Sequence, residues 1–98
     1  QMIPESGVYA VKVRMENSVV WRQGMMNVGT RPTFDGKRIT LETHIFNFDG
    51  DIYDQLLLVS FVKRIRGEQK FDSPEELAAQ LKEDEQTIME IFEEEKEK

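Results

Sequence analysis

The stretch ITLETHIFNFDGD, residues 39–51, alternates apolar and polar side chains with the two-residue period of a β-strand. The strand face that we expect to lie in the core consists of Ile39, Leu41, Thr43 and Ile45. The opposite face consists of Thr40, Glu42, His44, Phe46 and Phe48. A carboxylate held in the mouth of a closed sheet needs hydrogen-bond partners or a cation, so Glu42 is a candidate general base.

The spacing alone leaves the role of Glu42 open. A glutamate on a solvated strand face, or one in a structural ion pair, would produce the same pattern. His44 is most simply a hydrogen-bonded structural histidine, because no Ser or Cys nucleophile motif accompanies it. The residues by themselves indicate a ligand-binding β-protein with one candidate carboxylate base.

The flanking segments predict further strands. GVYAVKVRM, from Gly7, alternates and predicts a half-buried strand. VVWRQGMMNVG predicts a second strand, in which Gly24 indicates a bulge or a close backbone approach. TRPTFDGK contains Pro32 and the turn pair Asp35-Gly36, and therefore predicts a loop. The apolar run Leu57–Arg66 predicts another strand, buried on both sides at its centre.

After Phe71 the apolar period becomes helical, with Leu77, Leu81, Ile88, Ile91 and Phe92 on one stripe. Ser73 as N-cap, Pro74 at the first helical position and Glu76 three residues after the cap mark the start of the helix. We predict strands over about residues 7–71 and a helix over about residues 74–95. The fold class is therefore mainly β: a small antiparallel β-barrel or curled sheet with a C-terminal α-helix.

Composition excludes several classes of protein. The chain has 98 residues, no cysteine and one histidine, which excludes a disulfide framework and makes a structural zinc site untenable. It has no apolar run long enough for a membrane span, and it fits a reducing cytoplasm. Residues 75–98 hold ten acids against three bases, whereas residues 1–74 hold nine acids and ten bases. Without a basic stripe, nucleic acid is not an expected partner.

Five segments in order, GVYAV, GMMNVGTRPTF, LETHIFNFDGDIYDQ, IRGEQKFDS and LAAQLKED, closely resemble the riboflavin kinase family. The resemblance is nearest to the C-terminal kinase domain of bacterial bifunctional riboflavin kinase/FAD synthetases. It implies a six-stranded antiparallel barrel with a C-terminal helix. It also implies transfer of the γ-phosphate of ATP to the ribityl 5′-hydroxyl of riboflavin, which yields FMN and ADP.

The resemblance also assigns roles to individual residues. The family's catalytic glutamate occupies the position of Glu42. Asn47 and Tyr53 fall where the family approaches the nucleotide. Arg66 and Phe71 bound the segment that covers the flavin. Phosphoryl transfer passes through a loose transition state, so a carboxylate that orients the hydroxyl and accepts its proton late is chemically sufficient.

One departure from the family concerns the metal. A Thr/Asn motif that precedes GVYAV in the family and holds Mg²⁺ with ATP has no counterpart in these residues. We therefore expect no metal ligand in this chain and little or no activity from these residues alone. We expect a single incomplete domain, residues 1–98, that lacks its first strand and could form an edge-strand dimer. We expect FAD synthetase activity only in a missing N-terminal domain.

Two functions of other classes are compatible with the same residues. A non-catalytic flavin- or nucleotide-binding barrel would bind the small molecules without turnover. A pure interaction module would use the acidic helix or the open sheet edge and bind neither.

Overall fold

The computed structural model describes residues 4–49 and 56–96. Four strands, β1 (Gly7–Met15), β2 (Arg22–Thr33), β3 (Gly36–Ile45) and β4 (Leu57–Arg66), precede one helix, α1 (Pro74–Lys96). The strands form one antiparallel sheet in the order β3-β2-β1-β4. The predicted class, mainly β with a C-terminal helix, is confirmed. Within the described residues, β3 and β4 are the two edges of the sheet.

The predicted loop at residues 30–37 is wrong. β2 and β3 pair without interruption to Thr33 opposite Gly36, so the turn contains only two residues. Pro32 is tolerated because the pairing of β1 with β2 ends at Gly7 opposite Val28. Beyond that point β2 and β3 form a two-stranded ribbon. On the unpaired edge of such a ribbon a residue without a backbone N–H leaves no interstrand hydrogen bond unmade.

The sheet has a core on each face. On the helix side the buried residues are Val8, Ala10, Phe46, Ile88 and Phe92. On the opposite face they are Tyr9, Val11, Val13, Met26 and Val28. β1 contributes to both cores because its neighbours β2 and β4 cover both of its edges, whereas the outer strands are covered less.

Two expectations about burial are therefore corrected. Of the β3 face predicted to be core, Ile45 packs against the core but Ile39 and Leu41 are 40% and 58% exposed. β4 is not buried on both sides at its centre, because Phe61 is 43% exposed. Both strands are edges in the described part of the chain, and an edge strand has neighbours on one side only.

The predicted helix start is confirmed. The Oγ of Ser73 accepts a hydrogen bond from the Glu76 backbone N–H at 3.2 Å. The Glu76 carboxylate in turn accepts one from the Asp72 N–H at 3.0 Å. The first contact satisfies an N–H group that the first turn leaves unpaired, and the second joins the helix to the residue before its N-cap. Within residues 4–49 and 56–96, no helix combines the length and the apolar composition that a membrane span requires.

Helix α1 packs on the sheet over only part of its length. Its buried side chains are Asp84, Ile88 and Phe92, all in its middle and second half. Leu77, in the first half, is 41% exposed. The helix therefore diverges from the sheet towards its N-terminus and leaves space above β2 and β3.

Candidate functional site

Glu42 lies in the space between helix α1 and the sheet. It pairs with Asn27 of β2 on the helix-side face, and its side chain is exposed. Two cavities, each of about 260 Å³, share Asn27 and Glu42 in their walls. Glu42 thus stands where the two cavities meet.

The two cavities differ in their other walls. The first, here called the apolar cavity, is bounded by Val8, Met25 and Leu81 together with His44. The second, here called the polar cavity, is lined on its other sides by Arg31, Arg66, Glu68, Gln69, Phe71 and Leu77. A carboxylate at this junction faces apolar surface on one side and hydrogen-bonding groups on the other, which is the composition expected of a small-molecule site.

The helix forms the roof of both cavities. Leu81 lines the apolar cavity and Leu77, one turn earlier, lines the polar cavity. The same stripe that buries Ile88 against the sheet therefore carries cavity-lining residues at its N-terminal end. The local sequence is an ordinary amphipathic pattern, and because the helix diverges from the sheet, the N-terminal half of that pattern lines the two cavities.

The segment Gly67–Phe71 closes the polar cavity from the side. It connects β4 to the helix, and the Glu68 carboxylate accepts a hydrogen bond from the Thr30 backbone N–H at 3.1 Å. Another oxygen of Glu68 lies 3.7 Å from the Arg31 Nη1. These contacts attach the middle of the segment to the end of β2, which brings Phe71 and Glu42 into the wall of the same cavity.

Arg66 and Asp84 form a two-pronged ion pair beside the polar cavity. The Nε of Arg66 lies 3.1 and 3.0 Å from the two Asp84 oxygens, and its Nη2 donates to Oδ2 at 2.8 Å. The Asp84 side chain is 3% exposed and that of Arg66 is 18% exposed. Gln80 Nε2 donates a further hydrogen bond to Asp84 Oδ1 at 3.0 Å. The buried carboxylate is fully engaged, as burial of a charge requires.

His44 lies at the outer end of the apolar cavity. Its Nε2 is 3.9 Å from an oxygen of Glu85 on the helix, and its ring meets that of Phe46 edge to face, with the ring centroids 5.6 Å apart. These contacts connect β3 to the helix but leave the imidazole exposed. The structure thus gives His44 a packing partner and a neighbouring carboxylate, in keeping with a structural histidine.

The residues predicted for the site are distributed unevenly. Glu42, Arg66 and Phe71 come together at the polar cavity. Asn47 lies in the turn after β3 with a left-handed φ of 54° and does not line either of the two cavities described above. Tyr53 lies outside the described residues.

Sequence reasoning missed Asn27 and Asp84. Asn27 is a polar residue within an otherwise apolar strand, MMNVG, and its register opposite Glu42 becomes evident only from the strand pairing. The sequence does contain a signal from which the burial of Asp84 could have been predicted. Asp84 interrupts the helical stripe of Leu77, Leu81 and Ile88 at the spacing of a buried position, where a carboxylate requires a partner.

The acidic and histidine side chains of the described residues are not clustered. No group of three or more His, Asp or Glu side chains in residues 4–49 and 56–96 could hold a cation. We derive no chemical step through a metal on this part of the chain.

Comparison with known proteins identifies a family that this sequence matches. The family model described as Flavokinase, riboflavin kinase, matches residues 1–92. Bifunctional riboflavin kinase/FMN adenylyltransferases of Haemophilus influenzae, Escherichia coli K12 and Bacillus subtilis are 41%, 42% and 35% identical to this chain. These matches cover 94%, 94% and 93% of this chain but 30%, 29% and 29% of the relatives. The chain thus spans about three tenths of the length of those proteins.

A solved structure shows the same fold. A crystal structure from Streptococcus pneumoniae, named as that of a macrolide-efflux protein, superposes on this chain with a TM-score of 0.82. The two sequences are 39% identical. The superposition covers 90% of this chain and 28% of that one. As with the curated relatives, the likeness covers nearly all of this chain and a minor part of the longer protein.

Proposed function

This chain belongs to the riboflavin kinase family. We propose that it forms the substrate-binding part of a domain that phosphorylates riboflavin. The reaction transfers the γ-phosphate of ATP to the ribityl 5′-hydroxyl and yields FMN and ADP. The observation that carries the proposal is the position of Glu42, an exposed carboxylate at the junction of the apolar and polar cavities.

Riboflavin combines a flat, largely apolar ring system with a polyhydroxylated chain. Phe71 and Leu77 line the polar cavity and also a neighbouring hollow beside Pro74. They supply an aromatic and an aliphatic surface for the ring. The ribityl hydroxyls then extend past Asn27 towards Glu42. In this pose the walls that bind the flavin and the carboxylate that meets the reacting hydroxyl belong to one cavity.

Glu42 accepts the proton of the 5′-hydroxyl in this mechanism. The transition state of phosphoryl transfer is loose, so the hydroxyl oxygen keeps its proton until late and a weak base suffices. The carboxylate also orients the hydroxyl towards the phosphorus, which lowers the entropic part of the barrier. Its exposure in the absence of substrate leaves it accessible to the incoming hydroxyl.

ATP enters from the other side of Glu42. Asn47 and Tyr53 are our proposals for contacts with the nucleotide, and we propose Mg²⁺ as the divalent cation that accompanies ATP. The described residues contain no group of three or more His, Asp or Glu side chains that could hold this cation, so we assign none of them to it. FMN adenylyl transfer, the second activity named for the curated relatives, is assigned to the part of such proteins outside the matched share.

The test is Glu42→Gln in the full-length natural polypeptide that contains these residues. The amide keeps the shape of the side chain but cannot accept the proton. We expect kcat for FMN formation to fall by roughly 10²- to 10⁴-fold, while riboflavin binding, measured by quenching of flavin fluorescence, stays within a few-fold. The control is Glu90→Gln, an exposed glutamate of helix α1 outside the cavities, which should leave kcat unchanged.

Two results would contradict the proposal. FMN formation at the normal rate in Glu42→Gln would remove Glu42 as the base. Flavin quenching by the wild-type protein without any ATP-dependent turnover would identify a non-catalytic flavin-binding protein.

For the 98-residue chain alone we also propose self-association through a sheet edge. Within the described residues, β3 pairs only with β2 and β4 only with β1. Leu41 and Phe61 are exposed on the same face of these two edge strands. Exposed strand edges that carry apolar side chains are templates for pairing with another chain.

A further inference from the structure

Asp84 is the one charged residue in the described part of the chain that is buried, at 2% exposure. Removing a carboxylate from water is unfavourable unless it is paired and hydrogen-bonded. A leucine or alanine at this position would continue the apolar stripe of the helix without that penalty. The presence of Asp84 therefore points to a role that an apolar side chain could not perform.

The partner of Asp84 is the last residue of β4. Arg66 uses Nε and Nη2 on the Asp84 carboxylate, and its third nitrogen, Nη1, donates to the Gly67 carbonyl at 3.1 Å. All three nitrogens of the guanidinium are thus engaged within the protein. The guanidinium carbon also lies 5.8 Å from the centroid of the Phe71 ring, within the range of a cation–π contact.

These contacts act on both ends of the segment Gly67–Phe71. The hydrogen bond to the Gly67 carbonyl holds its first residue, and the guanidinium beneath the Phe71 ring holds its last. Asp84 fixes the guanidinium itself by two parallel hydrogen bonds, Nε to Oδ1 and Nη2 to Oδ2, which specify its orientation as well as its position. The wall of the polar cavity that includes Phe71 is therefore tied to the middle of the helix through this ion pair, in addition to the contacts of Glu68 with β2.

We propose that Asp84 is a positioning residue for riboflavin. It orients Arg66, and through Arg66 it holds the segment Gly67–Phe71 and the Phe71 ring against the polar cavity. Arg66 accordingly acts as a connector within the protein and does not itself supply the main contact to the flavin. The identity of the ligand in this inference rests on the proposed function. The contacts that connect Asp84 through Arg66 to the segment Gly67–Phe71 do not depend on that function.

The experiment compares Asp84→Asn with the matched control Ile88→Val, one helical turn further on, in the full-length natural polypeptide. Asn keeps the volume of Asp but cannot accept both guanidinium hydrogen bonds. We expect the KM for riboflavin to rise about tenfold in Asp84→Asn, with kcat and the KM for ATP within about threefold of wild type. Ile88→Val weakens the same helix–sheet contact, since Ile88 is fully buried, and should leave the KM for riboflavin unchanged.

Backbone ¹⁵N order parameters supply a readout that does not need turnover. For Gly67–Phe71 we expect values near those of rigid backbone, about 0.85, in wild type and Ile88→Val, and a clear decrease in Asp84→Asn. If Asp84→Asn does not fold, Arg66→Lys takes its place, because Lys keeps the charge but loses the paired N–H geometry.

The outcomes separate the inference from the proposed function. A riboflavin KM that stays normal in Asp84→Asn, with only the melting temperature lowered, would make the pair purely structural and overturn the inference. Unchanged order parameters in Gly67–Phe71 would overturn it as well. If the wild-type protein forms no FMN, the proposed function fails, and the order parameters alone still decide whether Asp84 holds the segment.

Discussion

Gly24 lies where the backbones of β2 and β3 approach each other closely. A Cβ built at this position would lie 2.6 Å from the backbone carbonyl oxygen of His44, closer than real atoms approach. The sequence-based expectation of a close backbone approach at Gly24 is thereby confirmed. The absence of a side chain here lets the backbone of β3 at His44 lie close beside β2.

Gly24→Ala should therefore be more destabilising than the same change at Gly29, a second glycine of the same strand. At Gly29 a Cβ would meet the Thr40 Oγ1 at 2.8 Å, and a hydroxyl can move away by rotation about χ1. We expect Gly24→Ala to lower the free energy of unfolding by about 2 kcal/mol and Gly29→Ala by less than about 1 kcal/mol. Urea unfolding of both variants measures the difference. Equal losses would show that the backbone contact at Gly24 carries no special strain.

Helix α1 performs two tasks along one amphipathic stripe. Its middle and second half, with Ile88 and Phe92, close the core against β1. Its first half, with Leu77 and Leu81, forms the roof of the cavities beside Glu42. The division arises because the capped N-terminus is tied to the segment after β4, whereas the second half packs directly on the sheet.

Leu77→Ala and Ile88→Ala should separate these tasks. Leu77 is 41% exposed, so its loss should lower the free energy of unfolding by less than about 1 kcal/mol while weakening riboflavin binding several-fold. Ile88 is fully buried, and its truncation should lower the free energy of unfolding by about 2–5 kcal/mol. Chemical denaturation and flavin fluorescence titration give the two quantities. A Leu77→Ala protein that binds riboflavin normally would exclude the first half of the helix from the flavin site.

The described part of the molecule is a four-stranded sheet with two inner strands and two exposed edges. β1 lies inside the sheet and supplies buried residues to both faces. β3 and β4 each have one neighbour in the described residues, and this arrangement leaves Leu41 58% exposed and Phe61 43% exposed. Such a surface favours association with another strand or chain.

We expect the isolated 98-residue chain to increase in average mass with concentration in light scattering, towards that of a dimer. Leu41→Lys should shift this association to higher concentration, because a charge on the apolar face of an edge strand opposes pairing. The control Met89→Lys adds the same charge to an exposed position of the helix and should leave the association unchanged. A mass that is constant and monomeric over the whole concentration range would contradict edge pairing.

The sequence by itself determined the features that depend on near neighbours along the chain. Strand alternation around Glu42, the capped helix start at Ser73 and the change of period between them follow from side chains a few residues apart. The ordered segments that resemble riboflavin kinases carried the assignment of family. The continuous pairing of β2 with β3 past Pro32 was not predictable in the same way, because it depends on the residue at which β1 stops pairing with β2.

Only the tertiary structure decided which distant groups meet. Arg66 and Asp84 are 18 residues apart in the chain, and their pairing depends on the direction in which the helix leaves β4. The divergence of the helix from the sheet turns Leu77 and Leu81 from expected core residues into the roof of the two cavities beside Glu42. Periodicity identifies the face on which a side chain lies, but the distance to the opposing surface is set by how the elements pack.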